Sequence, residues 1–304
     1  MLDTNISKVL KNFNNPRSYR LDQQTLSLSG AAYDEKPLPV LFLGHGSPMN
    51  AIEDNEFHRS WVDLGTQFGP GQRWALPRLI LCISAHWLTT GWHITADEKP
   101  KTIHDFGGFP QALFDQQYAV PGDPQAARSL AQLLSPAPDG ANVGLSSDWG
   151  LDHGSWSVLK PMFPSAQIPV LQLSMDYARP VAEHFAFGRQ LQSLRSQGVL
   201  IVASGNTVHN LRALQMRMGS QEVLDWARSF DDWVAARISA GEREALVDFQ
   251  QRGQEATLAH PSFEHFLPLL YAAGAATNED KVSYFNTGFQ LGSIAMRSVV
   301  WDSV

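Results

Sequence analysis

The apolar run PVLFLGHG, residues 39–46, ends in a histidine held between two glycines. Three further runs have the same character: RLILCISAHW at 78–87, IPVLQLSM at 168–175 and VLIVASGNTVHN at 199–210. Each run is rich in leucine or β-branched residues and lacks polar alternation, which is typical of central strands covered on both faces. The four runs therefore predict the strands of a buried sheet.

Segments with helical spacing separate the later runs. Residues 124–135 lie between the second and third runs, and residues 179–197 lie between the third and fourth, where Gly198 ends the pattern. This order of strands and helices predicts an α/β fold in a single domain, with a central, mostly parallel sheet flanked by helices. The remaining predicted elements are outer helices at 222–239 and 243–251 and a closing strand at 293–301.

The first 36 residues lack a clear periodic pattern. We interpret residues 1–36 as an N-terminal arm and residues 37–304 as the folded domain. The start of the chain has no apolar core of the kind found in a secretory signal, and no segment approaches the ~20 apolar residues of a membrane-spanning helix. We therefore expect a cytoplasmic protein without a membrane partner.

The overall charge limits the partners of this chain. Its 304 residues carry a formal net charge of −7 and contain no dense run of lysine and arginine, which argues against a nucleic-acid partner. The single cysteine, Cys82, lies in an apolar run and is predicted to be a small buried side chain. No apolar stripe indicates an oligomeric state, which therefore stays open.

Histidines follow the predicted strands at the same end. His45, His86 and His209 each lie at or just beyond the end of an apolar run, and the carboxyl ends of parallel strands meet at one edge of a sheet. His265 lies near the start of an apolar helical segment, and His153 lies in a loop rich in glycine and tryptophan. A polar ring beside a buried strand needs partners, which a divalent metal supplies. Imidazoles suit zinc, iron, copper and nickel, so the metal stays open at this point.

Glu264 directly precedes His265. On a helix these two side chains diverge by about 100°, so we expect only one of them to bind a given ion. Ser262 is predicted to cap this helix, with Glu264 as a carboxylate in its first turn. Pro268 predicts an irregular start of the helix.

Six blocks of sequence carry these histidines and their surroundings. In chain order they are LFLGHGSPMN, ISAHW, TIHDFGGFPQALF, WGLDHGSW, VASGNTVHNL and PSFEHFLPLLYAAGA. The blocks resemble those of the class III extradiol ring-cleavage dioxygenases, and within them the 4,5-DOPA extradiol dioxygenase-like proteins. The resemblance runs from about Pro39 to the C-terminus. It implies a catalytic α/β domain with one metal at the end of its sheet, iron(II) in the working dioxygenase and often zinc in the isolated protein.

The resemblance also assigns roles to individual histidines. By matching the family's blocks, His45, His86 and His265 fall at metal-site positions. His209 matches a histidine that is either a further metal ligand or the catalytic base, and His153 falls where a second active-site histidine is expected. In the wider class a glutamate completes the iron site, whereas this sequence has His265 beside Glu264, so the third ligand stays open between these two residues.

The implied reaction inserts O2 into the ring of an aromatic diol and gives a ring-opened semialdehyde. A catechol chelates the metal through its two vicinal oxygens, and a neutral histidine takes the second hydroxyl proton at neutral pH. We expect His209 to be this base. His153 is expected either to donate a proton or to bind the substrate, with Asp152 either orienting it or capping a turn.

Other marked residues have a structural and a functional interpretation. The loop 104–110, HDFGGFP, is either a glycine turn with aromatic anchors or a lid over the substrate ring. Ser84, Ser204 and Asn206 end predicted strands, where they are expected to hydrogen-bond the metal ligands. His184 is predicted to lie on the solvated face of a helix.

Three alternative functions remain. A zinc-dependent hydrolase could use the same histidine site with a bound water. A serine hydrolase requires a Gly-x-Ser-x-Gly elbow, which the sequence lacks. The third alternative is a binding protein that kept the scaffold without turnover, and the full set of five histidines argues against it.

Overall fold

The four predicted strands lie side by side in a six-stranded sheet in the computed structural model, which describes residues 26, 33, 35–214 and 222–303. In spatial order the strands are β6 (Val170–Gln172), β2 (Leu79–Ser84), β8 (Val199–Gly205), β1 (Val40–Gly44), β12 (Ser298–Asp302) and β9 (Lys281–Phe285). The first four strands run parallel to one another. Strand β12 pairs antiparallel with β1, and β9 pairs antiparallel with β12. This confirms the predicted central, mostly parallel sheet.

Short two-stranded ladders stand beside the main sheet. They join β3 (Leu88–Thr89) to β7 (Met175–Asp176), β4 (His93–Thr95) to β5 (Gly144–Ser146), and β10 (Phe289–Gln290) to β11 (Ile294–Ala295). The first two ladders are parallel and the third is antiparallel.

The central strands contribute side chains to two separate hydrophobic cores, one on each face of the sheet. In β1, Val40 and Phe42 pack in one core, while Leu41 and Leu43 pack in the other. Successive side chains of a strand point to opposite faces, and here both faces are covered. This explains why the four runs show no polar alternation. Cys82 is a free, buried cysteine in β2, as predicted.

Helices cover both faces of the sheet. One face carries α1 (Glu56–Gly65), α2 (Gln111–Phe114) and α4 (His153–Met162). The other face carries α3 (Pro124–Leu133), α5 (Val181–Gln190), α6 (Asp225–Ser239), α7 (Gln254–Ala259) and α8 (Leu267–Ala275). Short 3-10 helices are formed by Pro48–Ala51, Gln192–Gln197, Leu211–Ala213 and Arg243–Arg252.

Two predicted elements are interrupted in the structure. The helix predicted at 179–197 consists of α5 and a separate 3-10 helix. The strand predicted at 293–301 is divided into β11 and β12, because the backbone between them passes close to β1. A Cβ atom at Gly44 would lie only 2.5 Å from the carbonyl oxygen of Met296. The next residue, Arg297, places its guanidinium Nε 2.9 Å from the buried carboxylate of Asp231.

The prediction that His184 lies on a solvated face is wrong. His184 is fully buried, and its Nδ1 lies 2.9 Å from the hydroxyl oxygen of Tyr271. The reason is that α8 packs closely against α5: a Cβ atom at Gly188 would lie 2.5 Å from the carbonyl oxygen of Tyr271. His184, Phe185, Ala186, Phe187 and Gly188 of α5 are all buried, so the polar neighbours of His184 in sequence do not indicate exposure.

The predicted N-terminal arm, residues 1–36, lies almost wholly outside the described residues. The boundary at residue 37 therefore stays a prediction, as does the cytoplasmic location. Across residues 35–214 and 222–303, the helices are too short or too polar for any to cross a membrane.

Candidate metal centre

The carboxyl end of the sheet brings together the histidines that follow its strands. His45 directly follows β1, and His86 lies two residues beyond β2. Their ring centroids are 5.2 Å apart, and the ring of His265, from the turn before α8, lies 5.3 Å from that of His45. His209, four residues beyond β8, stacks on His265. The structure therefore places these four predicted site residues in one cluster.

A sharp turn after β1 sets the position of His45. Gly46 has a φ of +56°, in the left-handed region that favours glycine. A Cβ atom at this residue would collide with Oε1 of Gln290. The backbone N–H of His45 donates a hydrogen bond to the carbonyl of Gly205, at the end of β8. His45 is therefore fixed between two central strands, and only 1% of its surface is exposed.

A hydrogen bond from His45 to Ser204 fixes the proton position on the His45 ring. Nδ1 of His45 lies 3.0 Å from Oγ of Ser204, and this hydroxyl donates its only hydrogen to the carbonyl of Gly154. Oγ of Ser204 must therefore accept from His45. The ring proton is on Nδ1, and Nε2 carries the lone pair.

Asp105 fixes the proton position on the His86 ring, as Ser204 does on the His45 ring. Its Oδ2 lies 3.2 Å from Nδ1 of His86. Burial raises the pKa of the Asp105 carboxyl, but its contacts with the ring and backbone N–H of His153 and its proximity to His86 outweigh burial and lower this pKa to about 2. Because an ionised carboxylate only accepts hydrogen bonds, the proton of the His86 ring faces it on Nδ1. Nε2 of His86 again carries the lone pair.

Glu264 is the corresponding partner of His265. Its Oε1 lies 3.3 Å from Nδ1 of His265 and also accepts a hydrogen bond from Ser262 Oγ at 2.9 Å. The predicted helix cap at Ser262 is wrong, because α8 begins only at Leu267, with Pro268 in its first turn. Proline is tolerated there because its missing N–H has no partner in the first turn. Glu264 therefore lies in a turn, where its carboxylate reaches the neighbouring ring.

Three imidazole nitrogens with lone pairs thus face one another. Nε2 of His45 and Nε2 of His86 are 3.3 Å apart, and the ligand atoms of these two residues and of His265 all lie within 4.8 Å of one another. A tetrahedral ion with metal–nitrogen bonds of ~2.1 Å holds two imidazole nitrogens about 3.4 Å apart. Two lone pairs at this distance repel each other without a cation between them. The donor set therefore fits a divalent metal ion.

The three rings are neutral at neutral pH. Burial, together with the neighbouring histidines, lowers the pKa values of His45 and His265 well below the ordinary value. Burial and His153 lower the pKa of His86 to about 4. Only the neutral form of an imidazole binds a metal, so the electrostatics of the cluster favour the metal-binding form.

His209 lies beside this group in a different orientation. Its ring stacks on that of His265 with centroids 3.5 Å apart and planes inclined by only 5°. A metal ligated by His265 lies near the plane of that ring, which is one stacking distance away from the plane of His209. The lone pairs of His209 and His265 therefore lie in two parallel planes. Burial, with a contribution from His260, lowers the pKa of His209 to about 3.

His153 joins the cluster from the first residue of α4. Its ring centroid lies 3.9 Å from that of His86, and its Nδ1 is 3.0 Å from Oδ1 of Asp105, without the alignment of a full hydrogen bond. Asp152 is the cap of α4, accepting from the backbone N–H of Ser155, and does not orient His153. The orienting carboxylate is Asp105, which sequence reasoning did not single out. Its signal was its place in the HDFGGFP block.

The polar residues at the strand ends have different contacts. Ser204 accepts a hydrogen bond from the ring of His45. Ser84 instead accepts from the backbone N–H of His86 and donates to Asp152 Oδ1 at 2.6 Å. The backbone N–H of Asn206 donates to the carbonyl of His265 at 2.8 Å. Ser84 and Asn206 therefore fix the backbone at His86 and His265 rather than the two rings.

An aromatic cluster adjoins the centre. The ring of Phe106, in the loop 104–110, lies 5.5 Å from that of His153 and 5.4 Å from that of Phe109. This loop therefore contributes both a carboxylate and an apolar ring to the site. Whether it acts as a lid stays a prediction.

Comparisons with known proteins agree with the geometry. A family model described as the catalytic LigB subunit of aromatic ring-opening dioxygenase matches residues 39–294. An Escherichia coli K12 protein named 4,5-DOPA dioxygenase extradiol is 46% identical over 266 residues, which cover 86% of this chain and 94% of the relative. A Beta vulgaris protein of the same name is 33% identical over 264 residues, covering 87% and 96%.

A solved structure shows the same fold. The crystal structure of an uncharacterized Escherichia coli K12 protein superposes with a TM-score of 0.73 at 40% sequence identity. The match covers 87% of this chain and 99% of that chain. The relatives above carry dioxygenase names and give no support to the hydrolase alternatives.

Proposed function

We propose a metal site and a substrate class for this chain. The chain belongs to the LigB family of extradiol ring-cleaving dioxygenases and is an oxidoreductase of that family. Dioxygenases of this family depend on a metal and act on an aromatic substrate with O2. The proposal is that His45, His86 and His265 hold one divalent ion, at which a catechol is opened beside its two hydroxyl groups.

The observation that carries this proposal is the convergence of three lone pairs. Ser204 and Glu264 accept hydrogen bonds from Nδ1 of His45 and His265, and the Asp105 carboxylate faces Nδ1 of His86, which leaves the three Nε2 atoms for a metal. Metal-binding histidines commonly donate their other N–H in this way, which fixes the ring and its tautomer. Glu264 is therefore proposed as the partner of His265 rather than as the third ligand.

We propose iron(II) as the active metal, with zinc(II) able to occupy the same site in isolated protein. Three imidazoles suit both ions. When bound, iron(II) supplies Lewis acidity toward the two phenolic oxygens and redox activity toward O2, whereas zinc has no redox chemistry. The protein groups around the ion then decide where the protons of the diol go.

His209 is proposed as the base that takes a hydroxyl proton from the substrate. Its stacking on His265 keeps it next to the metal ligands without directing its lone pair to their ion. Its ring is neutral, with a pKa lowered by burial to about 3, and a substrate anion beside it would raise that pKa by charge attraction. This geometry favours a base over a fourth ligand.

His153 is proposed as the second polar contact of the substrate. Its Nδ1 faces Asp105, so Nε2 is the atom left to hydrogen-bond a hydroxyl or to transfer a proton. The ring of Phe106 beside it supplies apolar area for an aromatic substrate. The names of the relatives make DOPA, a catechol with an amino acid side chain, the first substrate to test.

The test of this function is product formation by protein reconstituted anaerobically with iron(II). A panel of catechols with DOPA as its first member is added with O2, and ring-opened product is followed by visible absorbance and mass. We expect a yellow semialdehyde from at least one catechol, and zinc-loaded protein is expected to form none. The proposal fails if no catechol consumes O2 while zinc-loaded protein cleaves an ester or amide.

A further inference from the structure

The carboxylate of Asp105 contacts the rings of two histidines of the site, His86 and His153. Oδ2 of Asp105 lies 3.2 Å from Nδ1 of His86, and Oδ1 lies 3.0 Å from Nδ1 of His153. Oδ1 also accepts a hydrogen bond from the backbone N–H of His153 at 2.9 Å. The Asp105 side chain is 19% exposed, so these contacts are largely shielded from water.

Asp152 cannot replace Asp105 in this role. It is fully buried and accepts hydrogen bonds from Ser84 Oγ at 2.6 Å and Gln172 Nε2 at 2.8 Å, besides capping α4. Within residues 35–214 and 222–303, Asp105 is the one carboxylate within ion-pair distance of a ring nitrogen of His86 or His153. The two rings therefore depend on the same group for their orientation.

We infer that Asp105 is a positioning residue that fixes the rings of His86 and His153 relative to each other, one with Nε2 toward the metal and the other with Nε2 toward the substrate. This inference rests on the proposed function. The two ring centroids are only 3.9 Å apart and the planes are inclined by 51°. Rotation of either ring about its χ angles moves its Nδ1 away from Asp105, so a carboxylate that contacts both Nδ1 atoms holds both rings in place.

The loop that carries Asp105 is anchored independently of its carboxylate. Nε2 of His104 is hydrogen-bonded to the carbonyl oxygen of Gln116 at 2.9 Å. On the other side of Asp105, the ring of Phe106 packs against those of Phe109 and Phe114. Substitution of Asp105 by asparagine, which has the same shape, is therefore expected to change the two histidine contacts while the loop stays in place.

The first experiment measures metal affinity without turnover. The dissociation constant of Co(II) is determined by chelator competition for wild type, Asp105→Asn and Asp105→Glu, with folding checked by urea midpoint. Asp115→Asn is the matched control, since Asp115 is an exposed carboxylate at the end of α2 that accepts from Gln111. We expect the Kd to rise about 10- to 100-fold for Asp105→Asn and not for the control. An unchanged Kd in Asp105→Asn overturns the link to His86.

The second experiment measures turnover of metal-saturated protein. Asp105→Asn and His153→Gln are each expected to lower kcat more than they change KM, and the double variant is expected to match the slower single variant within about twofold. Losses that multiply in the double variant would show that Asp105 does not act through His153. A role confined to holding the loop predicts a lower urea midpoint and no such dependence between the two residues.

The two experiments separate this inference from the proposed function. If wild-type protein opens no catechol, the proposed function fails, and the Co(II) series alone decides whether Asp105 positions His86. If Asp105→Asn does not fold, Asp105→Glu takes its place. The glutamate carboxylate is displaced by one methylene, so we expect a smaller rise in the Co(II) Kd and a smaller fall in kcat. Wild-type values in both measurements overturn the inference.

Discussion

The Nε2 atoms of His45 and His86 lie 3.3 Å apart, and both carry a lone pair. Contacts at the opposite nitrogen of each ring keep the proton away from Nε2. Ser204 accepts from Nδ1 of His45, and Asp105 faces Nδ1 of His86. The lone pairs are therefore held toward each other by the protein, before any ion binds. This arrangement predicts which substitutions weaken metal binding and which leave it intact.

Replacing Ser204 by alanine removes the acceptor that fixes the His45 tautomer. We expect Ser204→Ala to bind Zn(II) about 10- to 100-fold more weakly than wild type. Without the serine acceptor, the His45 ring is free to place its proton on Nε2, which removes the lone pair there. Chelator competition measures this change. Ser196→Ala is the control, since Ser196 is an exposed serine whose hydroxyl donates to the carbonyl of Ser193. Equal Zn(II) affinity for both variants would contradict the account of His45.

The stacked pair His209 and His265 is expected to divide into one base and one ligand. His209→Ala should retain about one metal per chain and lose turnover by roughly 10²- to 10⁴-fold, the usual size of a general-base effect. His265→Ala should lose the metal itself. Metal analysis of the two purified variants after reconstitution decides this. Loss of metal from His209→Ala would make His209 a ligand.

Glu264 is expected to support the metal without binding it. Glu264→Ala should still reach one metal per chain at saturating Fe(II) or Zn(II), with a Kd raised by about tenfold or more because the Nδ1–H of His265 loses its acceptor. Glu264→Gln keeps an oxygen acceptor and should lie between this variant and wild type. A Glu264→Ala protein that takes up no metal, beside a His265→Ala protein that does, would reassign the third ligand to Glu264.

The stability of the metal-free protein should fall in mild acid. Burial lowers the pKa of His184 and of His260 from 6.5 to about 4. Between these pH values the unfolded chain binds protons that the native state does not, so each histidine lowers the free energy of unfolding by up to about 1.4 kcal/mol per pH unit as the pH falls. The full stability is present above pH 6.5.

Urea unfolding of EDTA-treated protein between pH 7.5 and 4 measures this slope. His184→Asn, which keeps a polar group near Tyr271, should have a shallower slope than wild type because one buried titrating group is missing. A free energy of unfolding that stays constant from pH 7 to pH 5 would show that these histidines do not remain neutral in the native state.

The sheet and its histidines were predictable because both signals are local. An apolar run without polar alternation indicates a strand buried on both faces, and a histidine at its end indicates the site edge. This reasoning brings His45, His86 and His209 to one edge of the sheet, where the structure has them. It does not reveal that the ring of His209 stacks on His265, since that arrangement depends on the turn before α8.

Contacts between distant loops were not predictable in the same way. Asp105 reaches His86 and His153 because the loop 104–110 folds over the end of α4, and no periodicity encodes that approach. Near His265, the spacing of Ser262 and Glu264 resembles that of a helix cap, but the helix begins only at Leu267. His184 shows the same limit, because its burial is decided by the packing of α8 on α5.

The most direct test of the central claim is an anaerobic titration of metal-free protein with iron(II), followed at each point by O2 uptake in the presence of a catechol that the protein opens. The account predicts that the initial rate rises linearly and reaches a plateau at one iron per chain, with one O2 consumed for each ring opened. His45→Ala, His86→Ala and His265→Ala should each abolish this response. O2 uptake that is independent of added iron, or that persists in these three variants, would contradict a ring-cleaving centre built on these histidines.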